Sequence, residues 1–281
     1  MPYHQNHQND QNHQKQDLIG RTAVVTGGAT GIGRAVAAQL ATRGASVVIA
    51  GRNQPRGEAV ADALARAGCD VRFTRADVRH EEDVEALMDR TASIYGGLDY
   101  LFNNAGVEGI KGPIATQTEE TVDDMLAVNL KGAFLCMKHA APRMAERGGG
   151  VVVNTASFVG TIVPFPSAVL YGATKAAVLS MTQSVAAAFA DDQVRVYAVC
   201  PWTTDTPMMD RLTGFHTEAK LRFGMMNPSG VLATPEDIAR VVVSLFVDAK
   251  GLDSGDAVLV DSGGITQKVR PLSAWEPVSA S

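Results

Sequence analysis

The chain has 281 residues, of which 46% are hydrophobic and 20% are charged, and its net charge at pH 7 is −5. This composition is typical of a globular protein, and it excludes the basic face that nucleic-acid binding requires. No apolar run reaches the roughly 18 residues of a transmembrane helix, and no signal sequence opens the chain, so we expect a cytoplasmic protein without a membrane span. Cys69, Cys136 and Cys200 are too far apart in sequence to indicate a metal site.

Two terminal segments fall outside the predicted domain. Residues 1–17 are mostly Gln, Asn and His, and a segment so poor in apolar side chains predicts a disordered polar tail. Residues 269–281 are predicted to form a C-terminal tail. Residues 18–268 alternate short β-branched runs with longer helical patterns and show no internal repeat, so we predict one domain there, with a possible substrate lid at residues 206–230.

In chain order, this alternation begins and ends with a strand. The predicted strands are residues 22–26, 46–50, 71–75, 100–103, 150–154, 194–199 and 257–260. The predicted helices are residues 32–43, 55–67, 81–95, 121–147, 169–190 and 235–247. Runs such as 47–50 and 151–153 are apolar throughout, which is typical of strands covered on both faces. The pattern predicts an α/β fold with a single doubly wound, Rossmann-like parallel sheet of about seven strands and helices on both faces.

A glycine-rich loop follows the first predicted strand and opens the first helix. Gly27, Gly31 and Gly33 allow the backbone to turn sharply and to approach a pyrophosphate closely. The helix that follows offers free N–H groups and a partial positive charge to the phosphates. Because the loop lies between a strand and a helix, as a nucleotide-binding motif requires, it predicts a dinucleotide site.

These glycines match the pattern TGxxxGxG, and the sequence resembles the short-chain dehydrogenase/reductase family from about residue 18 to about residue 264. Residues 103–106 are similar to the NNAG motif of that family, and the pair Asp77–Val78 is similar to the pair that contacts adenine in its members. Residues 201–206 resemble the segment that borders the nicotinamide carboxamide. The resemblance implies that a nicotinamide dinucleotide is bound by Gly27, Thr30, Gly31, Ile32, Gly33, Asp77, Val78, Asn103, Ala105, Gly106, Pro201, Thr204 and Thr206.

The residue at the end of the second strand predicts which dinucleotide binds. An acidic side chain there would hydrogen-bond the ribose 2′-OH of NAD and repel a 2′-phosphate. This chain has Arg52, between Gly51 and Asn53, and a guanidinium pairs well with a phosphate. We therefore predict NADP(H) as the preferred cofactor. If Arg52 is instead a solvated charge that stacks on adenine, NAD(H) remains the alternative.

Tyr171 and Lys175 are four residues apart in a strongly helical stretch, so their side chains share one helical face. A free tyrosine has a pKa near 10, and a nearby ammonium favours the phenolate. We therefore expect the Tyr171 pKa to fall by about 2–3 units and the phenol to serve as a general acid or base. Ser157 follows the fifth predicted strand, where a substrate oxygen would lie. Asn129 lies inside a predicted helix, where its low helix propensity makes it a poor choice.

In the short-chain dehydrogenase/reductase family, the residues at these four positions form an Asn-Ser-Tyr-Lys tetrad. The resemblance implies that Tyr171 exchanges the proton and that Ser157 holds the substrate oxygen. It implies that Lys175 lowers the Tyr171 pKa and binds the nicotinamide ribose, so that both side chains also belong to the cofactor site. Asn129 would order a water molecule that links Lys175 to solvent.

Two features leave the shape of the substrate pocket open. Trp202 follows Pro201, where members of the family usually have glycine. Its ring either walls a pocket for a flat or apolar substrate or packs away from that pocket. Residues 206–230 carry several methionines and form either the lid or an ordinary pair of surface helices.

Together these motifs predict an oxidoreductase that transfers a hydride between NADP(H) and a small-molecule carbonyl or secondary alcohol, with Tyr171 as the general acid/base. The alternative is an NAD-dependent alcohol or sugar dehydrogenase of the same family. A cofactor-sensing protein without activity is disfavoured because it would not need Tyr171 or Lys175, and a lyase or dehalogenase because such relatives tend to lose the glycine-rich loop. The resemblance also implies a homotetramer, or a homodimer, and it leaves the substrate unnamed.

Overall fold

The computed structural model describes residues 16–109 and 112–269. In these residues, one eight-stranded sheet has the order β3-β2-β1-β4-β5-β6-β7-β8. The strands are β1 (Thr22–Thr26), β2 (Ser46–Gly51), β3 (Val71–Arg75), β4 (Tyr100–Asn103), β5 (Gly150–Thr155), β6 (Val194–Pro201), β7 (Ala257–Asp261) and β8 (Gly264–Val269). The helices are α1 (Gly31–Thr42), α2 (Gln54–Arg66), α3 (Glu81–Tyr95), α4 (Glu119–Met125), α5 (Gly132–Ala145), α6 (Val169–Ala188), α7 (Pro207–Leu212), α8 (Thr217–Gly224) and α9 (Pro235–Val247).

Helices cover both faces of this sheet, because alternate strand residues enter two separate cores. In β1, Ala23 and Val25 belong to the same buried cluster as Leu40 of α1 and Ile238 of α9. Val24, between them, belongs to a second cluster with side chains from α3 and α5. Strands β1 to β7 pair in parallel. The predicted doubly wound α/β fold is therefore confirmed.

The edge strand β8 is the part of the sheet that the sequence pattern does not predict. It pairs with β7 in antiparallel fashion through a two-residue turn, and Ser262 and Gly263 in that turn have φ angles of 47° and 80°, as a type I′ hairpin requires. Its residues are nearly all exposed, so it lacks the apolar run of the buried strands. The sheet therefore has eight strands rather than about seven, and one edge is antiparallel.

The helix predicted over residues 121–147 is present as a continuous helical stretch, but it is not one regular α-helix. It consists of α4, a π-helical segment at Leu126–Lys131, and α5. A π turn inserts one extra residue into the helix and occurs frequently at functional sites. Here it carries Asn129, which is 1% exposed. The apolar pattern in the sequence continues through both helices, so it gives no indication of the one extra residue between them.

The chain ends are described only in part. Residues 1–15 and 270–281, which make up most of the two predicted tails, lie outside the described residues. Asp17, assigned to the first tail, accepts two hydrogen bonds from the Arg43 guanidinium. Among the described helices, none combines the length and the apolar composition needed to cross a membrane.

Candidate active site

A cavity of about 270 Å³ lies at the carboxyl ends of β1, β4, β5 and β6, the edge at which a doubly wound sheet binds its ligands. The predicted site residues that line it are Gly27, Thr30, Gly31, Ile32, Ala105, Gly106, Ser157, Tyr171, Lys175, Pro201, Thr204 and Thr206. The fold therefore brings the glycine-rich loop and the Ser-Tyr-Lys side chains to one cavity.

The other predicted site residues lie outside the lining of the cavity. Asn103 is buried and donates hydrogen bonds to Ala133 O (2.8 Å) and Asn154 Oδ1 (3.1 Å). Its neighbour Asn104 lines the cavity in its place. Gly33, Asp77, Val78 and Asn129 are not among the residues that line the cavity, and Arg52 is exposed on the surface.

The glycine-rich loop requires glycine at two of its positions for steric reasons. Gly27 has a φ of +66°, which disfavours other residues. A Cβ atom on Gly33 would lie 2.4 Å from the Gly27 carbonyl oxygen and 2.7 Å from Asn104 Nδ2. Helix α1 begins after Thr30, whose side chain makes no capping hydrogen bond, so the N–H groups of the first turn are left for a ligand. This cradle fits a dinucleotide pyrophosphate.

Residues after β4 are held against this loop by one threonine. Thr26 Oγ1 accepts hydrogen bonds from the backbone N–H groups of Asn104 (2.9 Å) and Ala105 (3.1 Å). Asn104 Nδ2 donates in return to Thr26 O (3.1 Å). The ends of β1 and β4 therefore form one rigid floor for the cavity.

Tyr171 and Lys175 lie one turn apart on α6, and both face the cavity. Lys175 Nζ is 5.6 Å from the centroid of the Tyr171 ring. It donates a hydrogen bond of 2.8 Å to Thr155 O at the end of β5. Ser157, two residues beyond, is buried and accepts a hydrogen bond from Val159 N (3.2 Å).

Burial dominates the ionisation of both side chains. It raises the pKa of Tyr171 to about 12, while a hydrogen bond with Ser157 acts in the lowering direction. Burial lowers the pKa of Lys175 to about 8. The expected fall of the Tyr171 pKa is therefore not seen, because burial, with a smaller contribution from the charge of Glu108, disfavours the phenolate more strongly than the hydrogen bond with Ser157 favours it.

Asn129 connects the π segment to the loop after β4. Its Oδ1 accepts a hydrogen bond from Val107 N (2.8 Å), and its Nδ2 donates to Val107 O (2.9 Å) and to Thr174 Oγ1 (3.3 Å). A Cβ atom on Gly106 would lie 3.3 Å from Asn129 Oδ1 and 3.6 Å from Lys175 Nζ. Asn129 thus packs behind the cavity wall, close to Lys175.

Trp202 forms part of the cavity wall. Its ring stacks on Phe158 with a centroid distance of 4.7 Å and an interplanar angle of 18°. The backbone N–H of Trp202 donates to Val260 O (3.0 Å), which fixes the start of the segment after β6. Of the two interpretations that the sequence left open, the structure supports the wall.

The two short helices α7 and α8, with the residues between them, form a cover segment (residues 207–224) over the cavity. Met209 and Leu212 of α7 and Phe223 of α8 contribute to the lining. Arg211 Nε and Nη2 donate to the two carboxylate oxygens of Glu108, at 2.6 and 3.0 Å. The segment is therefore a helix pair that contributes side chains to the cavity lining, and a two-point ion pair holds it to the loop after β4. A role as a substrate lid stays a prediction.

The match to known proteins decides the family. A family model described as Enoyl-(Acyl carrier protein) reductase matches residues 27–265. The 2,5-dichloro-2,5-cyclohexadiene-1,4-diol dehydrogenase of Sphingobium indicum is 37% identical over 248 residues, which cover 88% of this chain and 98% of that protein. This chain belongs to the short-chain dehydrogenase/reductase family.

Other members of the short-chain dehydrogenase/reductase family match over similar lengths. The cis-4-hydroxycyclohexanecarboxylate dehydrogenase of Sinomonas cyclohexanicum is 39% identical over 243 residues, covering 86% of this chain and 96% of that protein. The crystal structure of levodione reductase superposes with a TM-score of 0.82 at 33% identity, covering 88% of this chain and 98% of that one. These relatives are dehydrogenases or reductases, and they support assignment of this chain to the oxidoreductases.

Several residues of the cavity were not predicted from the sequence. Phe158 directly follows Ser157, and Asn104 lies inside the NNAG motif. Both could have been predicted, because their neighbours in the sequence were assigned to the site. Arg56 lies four residues beyond Arg52, in the first turn of α2, and lines the cavity. The pair of Glu108 with Arg211 had no signal, because 103 residues separate the partners.

Proposed function

We propose that this protein is an NADP(H)-dependent oxidoreductase that interconverts a carbonyl compound and the corresponding secondary alcohol, with Tyr171 as the general acid/base. One observation carries the proposal: the Tyr171 phenol, the Ser157 hydroxyl and the Lys175 ammonium line the same cavity as a glycine-rich loop shaped for a pyrophosphate. Two relatives are named for alcohols borne on six-membered rings, which supports a secondary alcohol as substrate.

The bound dinucleotide would supply or accept the hydride. In the reducing direction, Tyr171 and Ser157 hydrogen-bond the carbonyl oxygen, and the Tyr171 Oη proton passes to that oxygen as it becomes a hydroxyl. In the oxidising direction, the phenolate removes the hydroxyl proton. A ketone, NADPH and one proton thus give the alcohol and NADP⁺.

Lys175 would act through charge and position. Its ammonium, near the Tyr171 ring, favours the phenolate once a proton has left. Its hydrogen bond to Thr155 O fixes where that charge lies. Asn129 would act as a positioning residue, because it holds the Val107 backbone and reaches Thr174, the residue before Lys175, and a water molecule between Asn129 and Lys175 would complete the predicted link to solvent.

Arg52 supports the preference for NADP(H). It is exposed at the end of β2, and in the described part of the chain its guanidinium makes no hydrogen bond or ion pair. It is close enough to Asp77 to lower the pKa of that carboxyl, although burial and the bonds with Arg79 act on it more strongly. A 2′-phosphate would give this unpaired guanidinium a partner.

The test is a comparison of kcat/KM with NADPH and with NADH on one ketone. We expect NADPH to be preferred and Arg52→Ala to lower kcat/KM for NADPH by about 10- to 100-fold, the equivalent of one charged hydrogen bond, with little change for NADH. Arg66→Ala, an exposed position at the far end of α2, is the matched control. Equal use of both cofactors by the wild type would favour the NAD-dependent alternative, and no oxidation or reduction with either would overturn the proposal.

We also propose a homotetramer, or a homodimer, assembled through α4–α5 and α6. Phe134, on α5, leaves 52% of its surface exposed, and Val169, at the start of α6, leaves 47%. Both side chains would leave water if these helices met those of a second copy, and burial of apolar surface favours association. Light scattering coupled to size exclusion measures the mass directly, and a monomer would contradict this proposal without affecting the chemistry.

A further inference from the structure

The wall of the cavity next to Ser157 is an aromatic plate. Phe158, the next residue along the chain, is 6% exposed and stacks on Trp202 at 4.7 Å with an angle of 18° between the rings. A plate formed by two stacked rings is flat and rigid, since each ring restricts the rotation of the other. A substrate whose oxygen reaches Ser157 and Tyr171 must therefore fit beside a flat surface.

The exposed part of the Trp202 ring offers no hydrogen bond. Its Nε1 atom is buried and has no partner among the described residues. Because this nitrogen is the only polar atom of the ring, the surface that Trp202 presents to the cavity is hydrocarbon. A buried donor without a partner is unusual in a folded protein and needs an explanation. Here the ring keeps its position on Phe158 even though its N–H is unsatisfied.

Further apolar side chains line the same cavity. Phe165 and Phe223 stack with a centroid distance of 6.3 Å, and Met209 and Leu212 of the cover segment line the space beside them. The one carboxylate there, Glu108, is 15% exposed and is neutralised by Arg211. Among the described residues that line the cavity, the other charged side chains are Lys175, whose ammonium donates to Thr155 O, and Arg56 on α2. The described residues of the plate and the apolar residues around it thus add no unpaired charge that would select an ionic substrate.

From these contacts we infer that the protein selects a neutral ketone or secondary alcohol whose oxygen is carried on a ring, and that the Trp202–Phe158 plate is what recognises that ring. The inference rests on the proposed function and narrows its substrate class. A ring loses little conformational freedom when it lies against a flat wall, whereas an acyclic chain of equal size must be ordered bond by bond.

The experiment compares two neutral ketones of equal carbon number, 4-methylcyclohexanone and 2-heptanone, by NADPH absorbance. A third substrate, 4-oxocyclohexanecarboxylate, tests the charge. We expect the wild type to have a kcat/KM for 4-methylcyclohexanone at least about tenfold above that for either other compound, a ratio within what one pocket contact achieves. Trp202→Gly should reduce the ring-to-chain ratio by about tenfold, and Trp202→Phe, which keeps a plate without an N–H group, should preserve it.

Because the ratio is measured on one preparation, partial loss of active protein does not affect it. If Trp202→Gly does not fold by circular dichroism, Trp202→Leu replaces it, since leucine is apolar but not flat. An active wild type that uses 2-heptanone as well as the ring ketone, or a Trp202→Gly variant with an unchanged ratio, would overturn the ring inference alone. A wild type that reduces no ketone would overturn the proposed function and this inference with it.

Discussion

The Nζ atom of Lys175 lies 5.6 Å from the centre of the Tyr171 ring, one helical turn further along α6. Both groups are held in positions that disfavour their charged forms, and burial moves their two pKa values apart, lowering that of Lys175 to about 8 and raising that of Tyr171 to about 12. Burial has already made the Lys175 ammonium less stable than it would be in water. A negative charge that develops on the Tyr171 phenol during a reaction would therefore stabilise this ammonium and be stabilised by it. Four predictions follow from this arrangement and its surroundings.

Replacing Tyr171 by phenylalanine should abolish turnover and leave the fold intact. The change removes only the hydroxyl, and with it the proposed acid/base and its bond with Ser157. Loss of a positioned general acid should lower kcat by about 10²-fold or more. The measurements are kcat with NADPH and a ketone, and dinucleotide affinity by fluorescence, which we expect to be preserved. Retention of more than about a tenth of the wild-type kcat would remove Tyr171 from the proposed role.

Lys175→Met should make the protein more stable at pH 7 while it lowers activity. Burial lowers the pKa of Lys175 from 10.5 to about 8, so below pH 8 the folded state holds a charge that it disfavours. The pKa shift corresponds to a destabilisation of the folded state on the order of 3 kcal/mol. The substitution removes this destabilisation, but it also removes the hydrogen bond to Thr155 O, which offsets about 1 kcal/mol of the gain in stability.

The pH dependence of this gain has a definite sign. Between pH 8 and 10.5 the unfolded wild type binds more protons than the folded form, so its stability rises with pH through this window. The advantage of Lys175→Met should therefore be largest below pH 8 and shrink toward pH 10.5. Urea unfolding of both proteins at pH 7 and at pH 10 measures it. A difference that is constant with pH would show that the Lys175 pKa is not lowered.

Neutralising Glu108 and neutralising Arg211, at the mouth of the cavity, should shift the pH profile of alcohol oxidation in opposite directions. Glu108 raises the pKa of Tyr171, although burial contributes more. Glu108→Gln should therefore move the rise of alcohol oxidation with pH to lower pH. Arg211→Gln leaves the carboxylate without its guanidinium partner and should move the rise to higher pH. The measurement is kcat/KM for the alcohol between pH 6 and 10, and shifts of equal sign in the two variants would contradict the electrostatic explanation.

Gly33→Ala should weaken dinucleotide binding. The new Cβ would lie 2.4 Å from Gly27 O, so the loop must move away from the geometry that admits a pyrophosphate. We expect the Kd for NADPH to rise at least about tenfold, the effect of losing roughly one hydrogen bond to a charged group. Gly264→Ala on β8 is the control, because its Cβ would meet only Asp261 O at 3.8 Å. Unchanged affinity in Gly33→Ala would show that the loop does not hold the phosphates.

Local pattern was sufficient to predict most of the fold. The bounds of β1, β3, β4 and α3 agree with the sequence prediction at both ends, because each of these elements is marked either by a short apolar run or by a clear apolar period. The polar strand β8 was missed, since an exposed edge strand has no apolar pattern to detect. The glycine-rich loop and the Tyr171–Lys175 pair were predicted because their residues are close together in the sequence. Ser157 was predicted because it lies just after the end of a strand.

What could not be predicted depends on contacts between distant parts of the chain. The ion pair of Arg211 with Glu108 joins the cover segment to the loop after β4 across 103 residues. The raised pKa of Tyr171 depends on how completely the surrounding elements exclude water. Whether the Trp202 ring faces the cavity or packs away from it depends on its stacking with Phe158, a contact that the sequence does not indicate. Such features follow from packing in three dimensions, for which spacing along one helix or strand gives no information.

The π segment at Leu126–Lys131 has a consequence for how this chain tolerates insertions and deletions. It places one extra residue between two regular helices, and each residue of an α-helix turns the chain by about 100°. Removing a single amino acid there would make the helix regular and swing the Asn129 amide round the axis, away from the Val107 backbone. The length of this stretch is thus as important as its asparagine, and a variant that is shorter by one residue should lose the hydrogen bonds between Asn129 and Val107 even though Asn129 itself is retained.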